Sequence, residues 1–283
     1  GLDREDLFVV VQEMFHTDTT NYADIVLPGA SFLEVTDLYR AYGHNYIQMA
    51  QPVIPRVGQS RSTLDIFQDL AARLSFKNKV FSLGEMDFIE NFLVEDSPYL
   101  EGVDFEMLKS GKPVRLNIPS NPYADGFATP SGKVEFYSQT MADQGLDPLP
   151  DGQVLRDPDG GDKYCLEFIT PPHHFFLNSA FNEIDALREK VGQARVMIHP
   201  ETAGTRGIAD GDPVRVFNDR GEASFLAHVT YDTQIGLLVA EGLHWPSLSP
   251  GSGVNQLTSQ RLTDMGKTCA FHCNLVEVQP QAN

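Results

Sequence analysis

Basic residues are scarce in this chain and thiols scarcer. Lysine and arginine number 21 against 39 aspartates and glutamates, a formal net charge of -18. Gripping a phosphate backbone takes clustered Lys and Arg, and no dense basic run occurs, so nucleic acid is not an expected partner. The acidity leaves room for a local phosphate site built from backbone N–H groups. Three cysteines, Cys165, Cys269 and Cys273, make no disulfide framework. They also fall short of the four thiolates of an ordinary all-cysteine iron–sulfur cluster. No apolar run approaches the roughly 20 residues of a membrane span, and no basic, apolar leader opens the chain. No span is therefore expected, and a cytoplasmic location is the expectation. Also missing are a Gly-x-Ser-x-Gly elbow, a Walker loop and a Gly-x-Gly-x-x-Gly fingerprint. Carboxylates such as Glu167 and Asp264 have no recognisable partner spacing. No complete catalytic set is readable, so whether the chain is an enzyme in its own right stays open.

What is present is enough apolar material, 41% of 283 residues, for two packed cores. Leu7 to Val11 form a continuous apolar run, which predicts a strand buried on both faces, as in a parallel sheet. A hydroxyl-rich turn, His16 to Asn21, separates it from a second short strand over Ala23 to Gly29, closed by Pro28-Gly29. Thr63 to Leu74 predicts an amphipathic helix with Leu64, Phe67, Leu70, Ala71 and Leu74 on one face and Ser62 as N-cap. A weaker helix is expected over Glu85 to Val94, with Met86, Ile89 and Phe92 or Leu93 inward. Ser131-Gly132-Lys133 reads as a turn and Val134 to Tyr137 as a short strand. Asp147 to Asp162, rich in Pro, Gly and Asp, reads as a linker. Beyond it strands dominate: Leu166 to Thr170, Arg195 to Ile198, Val214 to Asn218, Ala223 to Thr230, Leu237 to Ala240 and Leu275 to Val278. A short helix opens at Pro200. Many short strands within about 120 residues predict a closed barrel or sandwich.

Four stretches carry chemistry. Thr17-Asp18-Thr19-Thr20, after a strand, offers hydroxyls and N–H groups to a polar ligand, or is an ordinary loop with helix caps. Thr170-Pro171-Pro172-His173-His174-Phe175-Phe176-Leu177-Asn178-Ser179 follows another strand. Neighbouring side chains on extended backbone point opposite ways, so one metal rarely takes both histidines. They read as hydrogen-bond donors to an anionic or heterocyclic ligand, or as a satisfied loop pair. Gly251 to Thr258, with Thr263-Asp264 beyond, combines glycines that let backbone approach a ligand with Asn255 and Gln256, whose amides match a heterocycle's edge; a plain surface loop is the alternative. Cys269-x-x-His272-Cys273 offers zinc-type ligands, but three where a structural site takes four.

Together these stretches resemble the bis-molybdopterin guanine dinucleotide oxidoreductases, the dimethyl sulfoxide reductase and formate dehydrogenase type, which also includes nitrate reductases. Thr17-Asp18-Thr19-Thr20-Asn21-Tyr22-Ala23-Asp24-Ile25-Val26-Leu27-Pro28 resembles the family's Thr-x-Thr-x-x-x-Ala-Asp-Val-Val-Leu-Pro signature. Glu34, Asp37, Gly43 and Gln48 are similar to the segment after it. Thr129-Pro130-Ser131-Gly132-Lys133-Val134-Glu135 resembles its Thr-x-Ser-Gly-Lys-Ile-Glu turn. His199-Pro200 through Asp210-Gly211-Asp212, then Val254 to Thr258 and Thr263-Asp264, resemble its C-terminal cofactor-binding barrel.

The resemblance implies an α/β-plus-β architecture. A partial Rossmann-like α/β segment with its connection occupies residues 1 to 150, and a double-psi-type six-stranded β-barrel occupies 164 to 283. The implied cofactor is bis-molybdopterin guanine dinucleotide with molybdenum or tungsten, whose binding residues would include Thr17, Thr19, Thr170, His173, His174, Asn178, Ser179, Asn255 and Asp264. The family's cluster cysteines and metal-ligating Ser, Cys or selenocysteine have no counterpart here. That implies a C-terminal fragment or a split subunit, inactive alone, whose partner is the N-terminal portion or catalytic subunit of the same enzyme. Any iron–sulfur cluster would lie in that portion. The alternatives are a stand-alone double-psi barrel acting as a binding or scaffold module, and a small zinc protein using Cys269, His272 and Cys273.

Overall fold

A computed structural model of the chain describes residues 1–2, 4–93, 97–149, 163–249, 251, 253–263 and 265–281. The chain divides into two compact units, Gly1–Val134 and Glu135–Asn283.

In the first unit, β1 (Val10–Glu13) and β2 (Ile25–Pro28) form a parallel pair, with Val10 opposite Ile25 and Glu13 opposite Pro28. The start of this pair is tied by a side chain: Asp24 accepts the Val9 N–H at 2.7 Å, while the Val9 carbonyl accepts from the N–H groups of Asp24 and Ile25. The strand begins later than the apolar run predicts, and burial on both faces does not hold. Phe8, Val10, Ile25 and Val26 are all exposed, because among the described residues this sheet has only two strands. The expected helix is present as α1 (Thr63–Arg73), with the Ser62 hydroxyl accepting the Asp65 N–H at 3.1 Å. Of its apolar stripe only Ala71 is buried, while Phe67, Leu70 and Leu74 are exposed.

A sheet that the sequence reading did not anticipate supplies this unit's core. β3 (Asp37–Arg40), β4 (Tyr46–Ala50) and β5 (Val114–Arg115) are antiparallel. Strand β4 alternates, so Ile47 and Met49 point inward and pack with Ile89 of α2 (Glu85–Leu93), Leu108 of α3 (Phe105–Lys109) and Val114. Of the two side chains expected at the end of α2, Leu93 packs on this core and Phe92 is exposed. The expected strand over Val134 to Tyr137 is absent. That stretch is irregular, and Val134, Phe136 and Tyr137 are exposed, without a ladder partner to favour extension. The turn before it is present, with Gly132 at φ +68°. The predicted linker lies, from residue 150 to 162, outside the described residues.

The second unit opens with α4 (Gln139–Asp143) and is otherwise built on a closed six-stranded barrel. Its strands are β6 (Leu166–Ile169), β7 (Arg195–Ile198), β8 (Pro213–Phe217), β9 (Glu222–Val229), β10 (Leu237–Val239) and β11 (Asn274–Pro280). All six match predicted strands to within a few residues. Around the barrel the order is β10-β6-β11-β8-β9-β7, and β7 pairs back to β10. The β6–β10 and β7–β9 pairs are parallel and the rest antiparallel. Alternation places Val214, Val216, Ala223, Phe225, Ala227, Val276 and Val278 inward with Phe168, Val196, Ile198 and Leu238. Each large apolar side chain so buried contributes on the order of 1.5–3 kcal/mol before entropy is counted. Two short helices sit between strands, α5 (Asp185–Val191) and α6 (Pro200–Gly204); Pro200 takes the first position of α6 as expected. Because β6 and β10 run parallel side by side, the loops that follow them leave the same end of the barrel. This places the Pro-Pro-His-His loop beside the loop after Ala240.

Candidate functional site

At that end of the barrel lies a cavity of about 650 Å³. The loop after β6 contributes Thr170, Pro171, Pro172 and Asn178; the loop after β10 contributes Gly242 and Leu243. The opposite wall comes from far along the chain: Asn255, Thr258, Ser259, Gln260, Leu262, Cys269, Phe271 and His272. Three of the four stretches singled out from sequence, spread over about 100 residues, thus face one space.

The lining matches the chemistry of a flat heterocycle joined to a phosphate. Thr170, Asn178, Asn255, Thr258 and Gln260 supply hydroxyls and amides that donate and accept, while prolines, Leu243, Leu262 and Phe271 supply apolar surface for ring faces. Among the described lining residues there is no Lys, Arg, Asp or Glu. Phosphate held here would rest on N–H and hydroxyl groups.

Buried amides hold the walls. Asn274, 2% exposed, accepts the Ser259 N–H at 2.9 Å and donates to the Phe271 carbonyl at 2.7 Å. Asn218, in the turn between β8 and β9, donates to the carbonyls of Leu257 and Leu275 at 3.0 and 3.2 Å. A 3-10 turn over Val254–Leu257 anchors the wall by burying Val254 and Leu257, which leaves Asn255 exposed to the cavity side. On the near wall, the Asn182 amide and Trp245 join the two loops. None of these four residues stands out by spacing in the sequence. A buried amide is recognisable only by its partners, although the chain's single tryptophan is a signal that could have been followed.

The sequence-predicted residues separate. Thr170, Asn178 and Asn255 line the cavity. His173 does not: its Nδ1 accepts the Phe175 N–H at 3.1 Å and its ring packs beside Phe175 and Phe176, so it shapes the loop from behind. His174 is exposed, edge-on to Phe175. Ser179 lends its backbone carbonyl to loop packing. Asp264 lies outside the described residues. Thr17 and Thr19 belong to the first unit, where Thr17 precedes a 3-10 turn over Asp18–Tyr22 without capping it through its side chain. The Thr17 carbonyl instead accepts from the Thr20 N–H and hydroxyl at 3.0 and 2.7 Å, and Thr19 stands exposed. In this segment the buried carboxylate is Glu34. It accepts from the Val57 N–H at 2.6 Å, the Ser31 N–H at 2.8 Å and the Ser60 hydroxyl at 2.7 Å, which hold its carboxyl down to about 2. Its role is to clamp two loops together.

The zinc reading finds no geometry. Among the described residues no three His, Cys, Asp or Glu side chains converge to hold a metal. Cys269 and His272 face the cavity, whereas Cys273 only precedes β11. One further histidine sits close by. Burial first and neighbouring His173 second hold His244 below the usual histidine range, so it is neutral at pH 7.

The chain is similar to known proteins in both of its units. A model of the molydopterin (molybdopterin) dinucleotide binding domain matches residues 166–275, which include all six barrel strands or parts of them and every residue lining the cavity. A model of the molybdopterin oxidoreductase domain matches residues 2–73. A probable oxidoreductase of Bacillus subtilis, YoaE, is 35% identical over 99% of this chain and 41% of its own length. The dimethyl sulfoxide reductase DmsA of Escherichia coli is 28% identical over 98% of this chain and 38% of its own. Acetylene hydratase from Pelobacter acetylenicus shares the fold with a TM-score of 0.74, at 21% identity, covering 97% of this chain and 40% of that one. The chain thus spans about two fifths of the relatives it matches. The barrel is a molybdopterin dinucleotide binding domain, the cofactor it binds as part of the longer protein is bis-molybdopterin guanine dinucleotide with molybdenum or tungsten, and the chain belongs to the molybdopterin oxidoreductase family, matching the C-terminal part of such proteins.

Proposed function

We propose that this chain works as the cofactor-holding wall of a larger oxidoreductase that transfers oxygen atoms to or from a small substrate, and that the protein ligand of the metal comes from an upstream segment of the same polypeptide. The observation that carries the reading is the convergence of Thr170, Asn178 and Asn255 on one cavity at the end of the barrel. The names of the relatives support the reaction class, since several are dimethyl sulfoxide or trimethylamine N-oxide reductases. When bound, the molybdenum cofactor supplies the two-electron redox chemistry. The chain's own residues supply recognition. Amides of Asn178, Asn255 and Gln260 offer paired donors and acceptors to the edge of a guanine or pterin. Thr170 and Thr258 offer hydroxyls, and the proline and Leu243 surfaces exclude water from ring faces.

The upstream partner is supported by the first unit. Strands β1 and β2 carry exposed Val10, Ile25 and Val26, and α1 carries exposed Phe67, Leu70 and Leu74. Parallel sheets are ordinarily covered on both faces, so further strands and helices of the same polypeptide suit this surface. The test is the molybdenum and guanine nucleotide content of the full-length polypeptide, measured by metal analysis and by nucleotide release in acid. Near-stoichiometric guanine nucleotide and metal, both lowered by Asn255→Ala and Asn178→Ala, is the expected result. A purified full-length protein with neither would leave the barrel as a scaffold module and end the oxidoreductase reading.

A further inference from the structure

The two loops that make the near wall of the cavity are joined by one buried side chain. Asn182 is 1% exposed. Its amide nitrogen donates to the Ser179 carbonyl at 3.2 Å, in its own loop, and to the Leu243 carbonyl at 3.0 Å, in the loop after β10. Its amide oxygen accepts the Trp245 N–H at 3.3 Å. Trp245 closes the contact from the other side, its indole N–H donating to the Ser179 carbonyl at 2.7 Å. The Asn182 carbonyl accepts from the Arg188 guanidinium at 2.8 Å, which ties the junction to α5. Above it the loops touch with no space to spare. Gly242 sits at φ +86°, and a Cβ there would lie 2.9 Å from the Cβ of His173.

Asn182 is not among the residues lining the cavity, but its partner Leu243 is, with Gly242 beside it and Asn178 beside Ser179. An asparagine suits this place because its two amide hydrogens meet two carbonyls while its oxygen meets an N–H; no other side chain of that size offers both at once. We propose that Asn182, with Trp245, is the positioning residue that sets the spacing of the two loops, and hence the grip of the near wall on the dinucleotide. The clasp acts before any chemistry and touches no reacting atom. It rests on the cofactor reading above and adds to it the residue that preorganises half of the site.

The position makes a distinctive demand on substitutions. Asn182→Asp keeps the size and the acceptor for Trp245. Ionised, however, it sets a carboxylate oxygen against the Ser179 and Leu243 carbonyls, which repels them. Protonated, it regains one donor. Burial and the facing Ser179 and Leu243 carbonyls raise such a carboxyl, against the pull of the Arg188 guanidinium that bonds the backbone carbonyl of the same residue, so acidification restores part of the clasp in this variant, whereas the native amide has no proton to gain.

Two measurements test this. In the 283-residue chain Trp245 is the single tryptophan, so its emission reports the clasp directly. Asn182→Ala and Asn182→Asp at pH 8 are expected to red-shift it and raise acrylamide quenching; Asn182→Asp at pH 5 is expected to return toward the native spectrum. In the full-length polypeptide, loss of guanine dinucleotide during gel filtration is expected to speed up on the order of tenfold in both variants at pH 8, the size typical of residues that orient a bound group's ligands, with recovery of Asn182→Asp at pH 5. A loosened spectrum with unchanged dinucleotide retention would overturn the role of the clasp while leaving the cofactor reading intact. An unchanged spectrum in Asn182→Ala would overturn the clasp itself. Native full-length protein devoid of dinucleotide would overturn the cofactor reading, and the proposed grip with it.

Discussion

The two units bury apolar surface with very different success. Among the described residues the barrel gathers eighteen buried apolar side chains into one cluster, from Leu166 to Val278. The first unit's largest cluster has seven, centred on Met49 and Leu108, and none of them comes from β1, β2 or α1. The difference is one of edges. Six strands that close on themselves leave no unpaired edge and enclose their inward residues on all sides. Two parallel strands leave two open edges and two open faces, so Val10, Ile25 and Val26 remain in contact with water. The barrel is self-contained, whereas β1, β2 and α1 have the composition of a core without the core. Apolar pattern therefore reports what a segment is built to touch, and only closure or partners decide whether it touches anything.

Substitutions can break this contrast or sharpen it. The largest effect is expected inside the barrel. Phe168→Ala, at a site 1% exposed, is expected to cost about 3–5 kcal/mol in denaturant unfolding of the chain. A value below about 1 kcal/mol would mean that the barrel core is not packed as described. Next comes Gly242→Ala, which meets both a positive φ and the His173 Cβ. It is expected to cost about 1–3 kcal/mol and to shift Trp245 emission, because the loop itself must move.

A smaller effect is expected in the first unit at Glu34. Its carboxyl is held down to about 2 from an ordinary value of 4.5, so its contribution is complete above about pH 4.5 and disappears as the pH falls toward 2. Glu34→Gln is expected to weaken the unit near neutral pH and to flatten its acid unfolding between those limits, followed by circular dichroism. An acid transition identical to the native one would remove Glu34 from the account. The smallest effect belongs to α1. Leu70→Ser, on a side chain 48% exposed, is expected to change the stability of this chain by less than about 0.5 kcal/mol. In a full-length polypeptide where the helix is covered, the same change is expected to cost about 1–3 kcal/mol. Equal costs in both would argue that α1 stays uncovered.

The barrel was legible strand by strand because its strands are short β-rich runs separated by turn signals such as Asp210-Gly211-Asp212. The sheet of β3, β4 and β5 was not. Val114 and Arg115 pair with Tyr46 and Ile47 across more than 60 residues, and a two-residue strand has no periodicity to read. Helix α5 was missed for a similar reason, since seven residues are too few to establish a helical period. Of the residues that the family resemblance singled out, Thr170, Asn178 and Asn255 line the cavity with hydroxyl and amide groups. His173 shows the limit of that resemblance: the same polar residue type serves equally well as a packing element, and its backbone partner at Phe175 decides which.

By itself the sequence determined the barrel's strands, the N-cap of α1, the proline that opens α6, and the stretches that carry the family signature. All of these depend on residues close together in the chain, where propensity, periodicity and turn chemistry act. Tertiary structure alone decided that Thr170 and Asn178 face one cavity with Asn255 and His272, that Asn182, Asn218 and Asn274 bond the loops around it, and that the Asp24 and Glu34 carboxylates serve as loop ties. Hydrogen bonds to buried carbonyls and N–H groups carry no spacing in sequence. Their partners are set by which strands lie side by side, and that is fixed when the barrel closes.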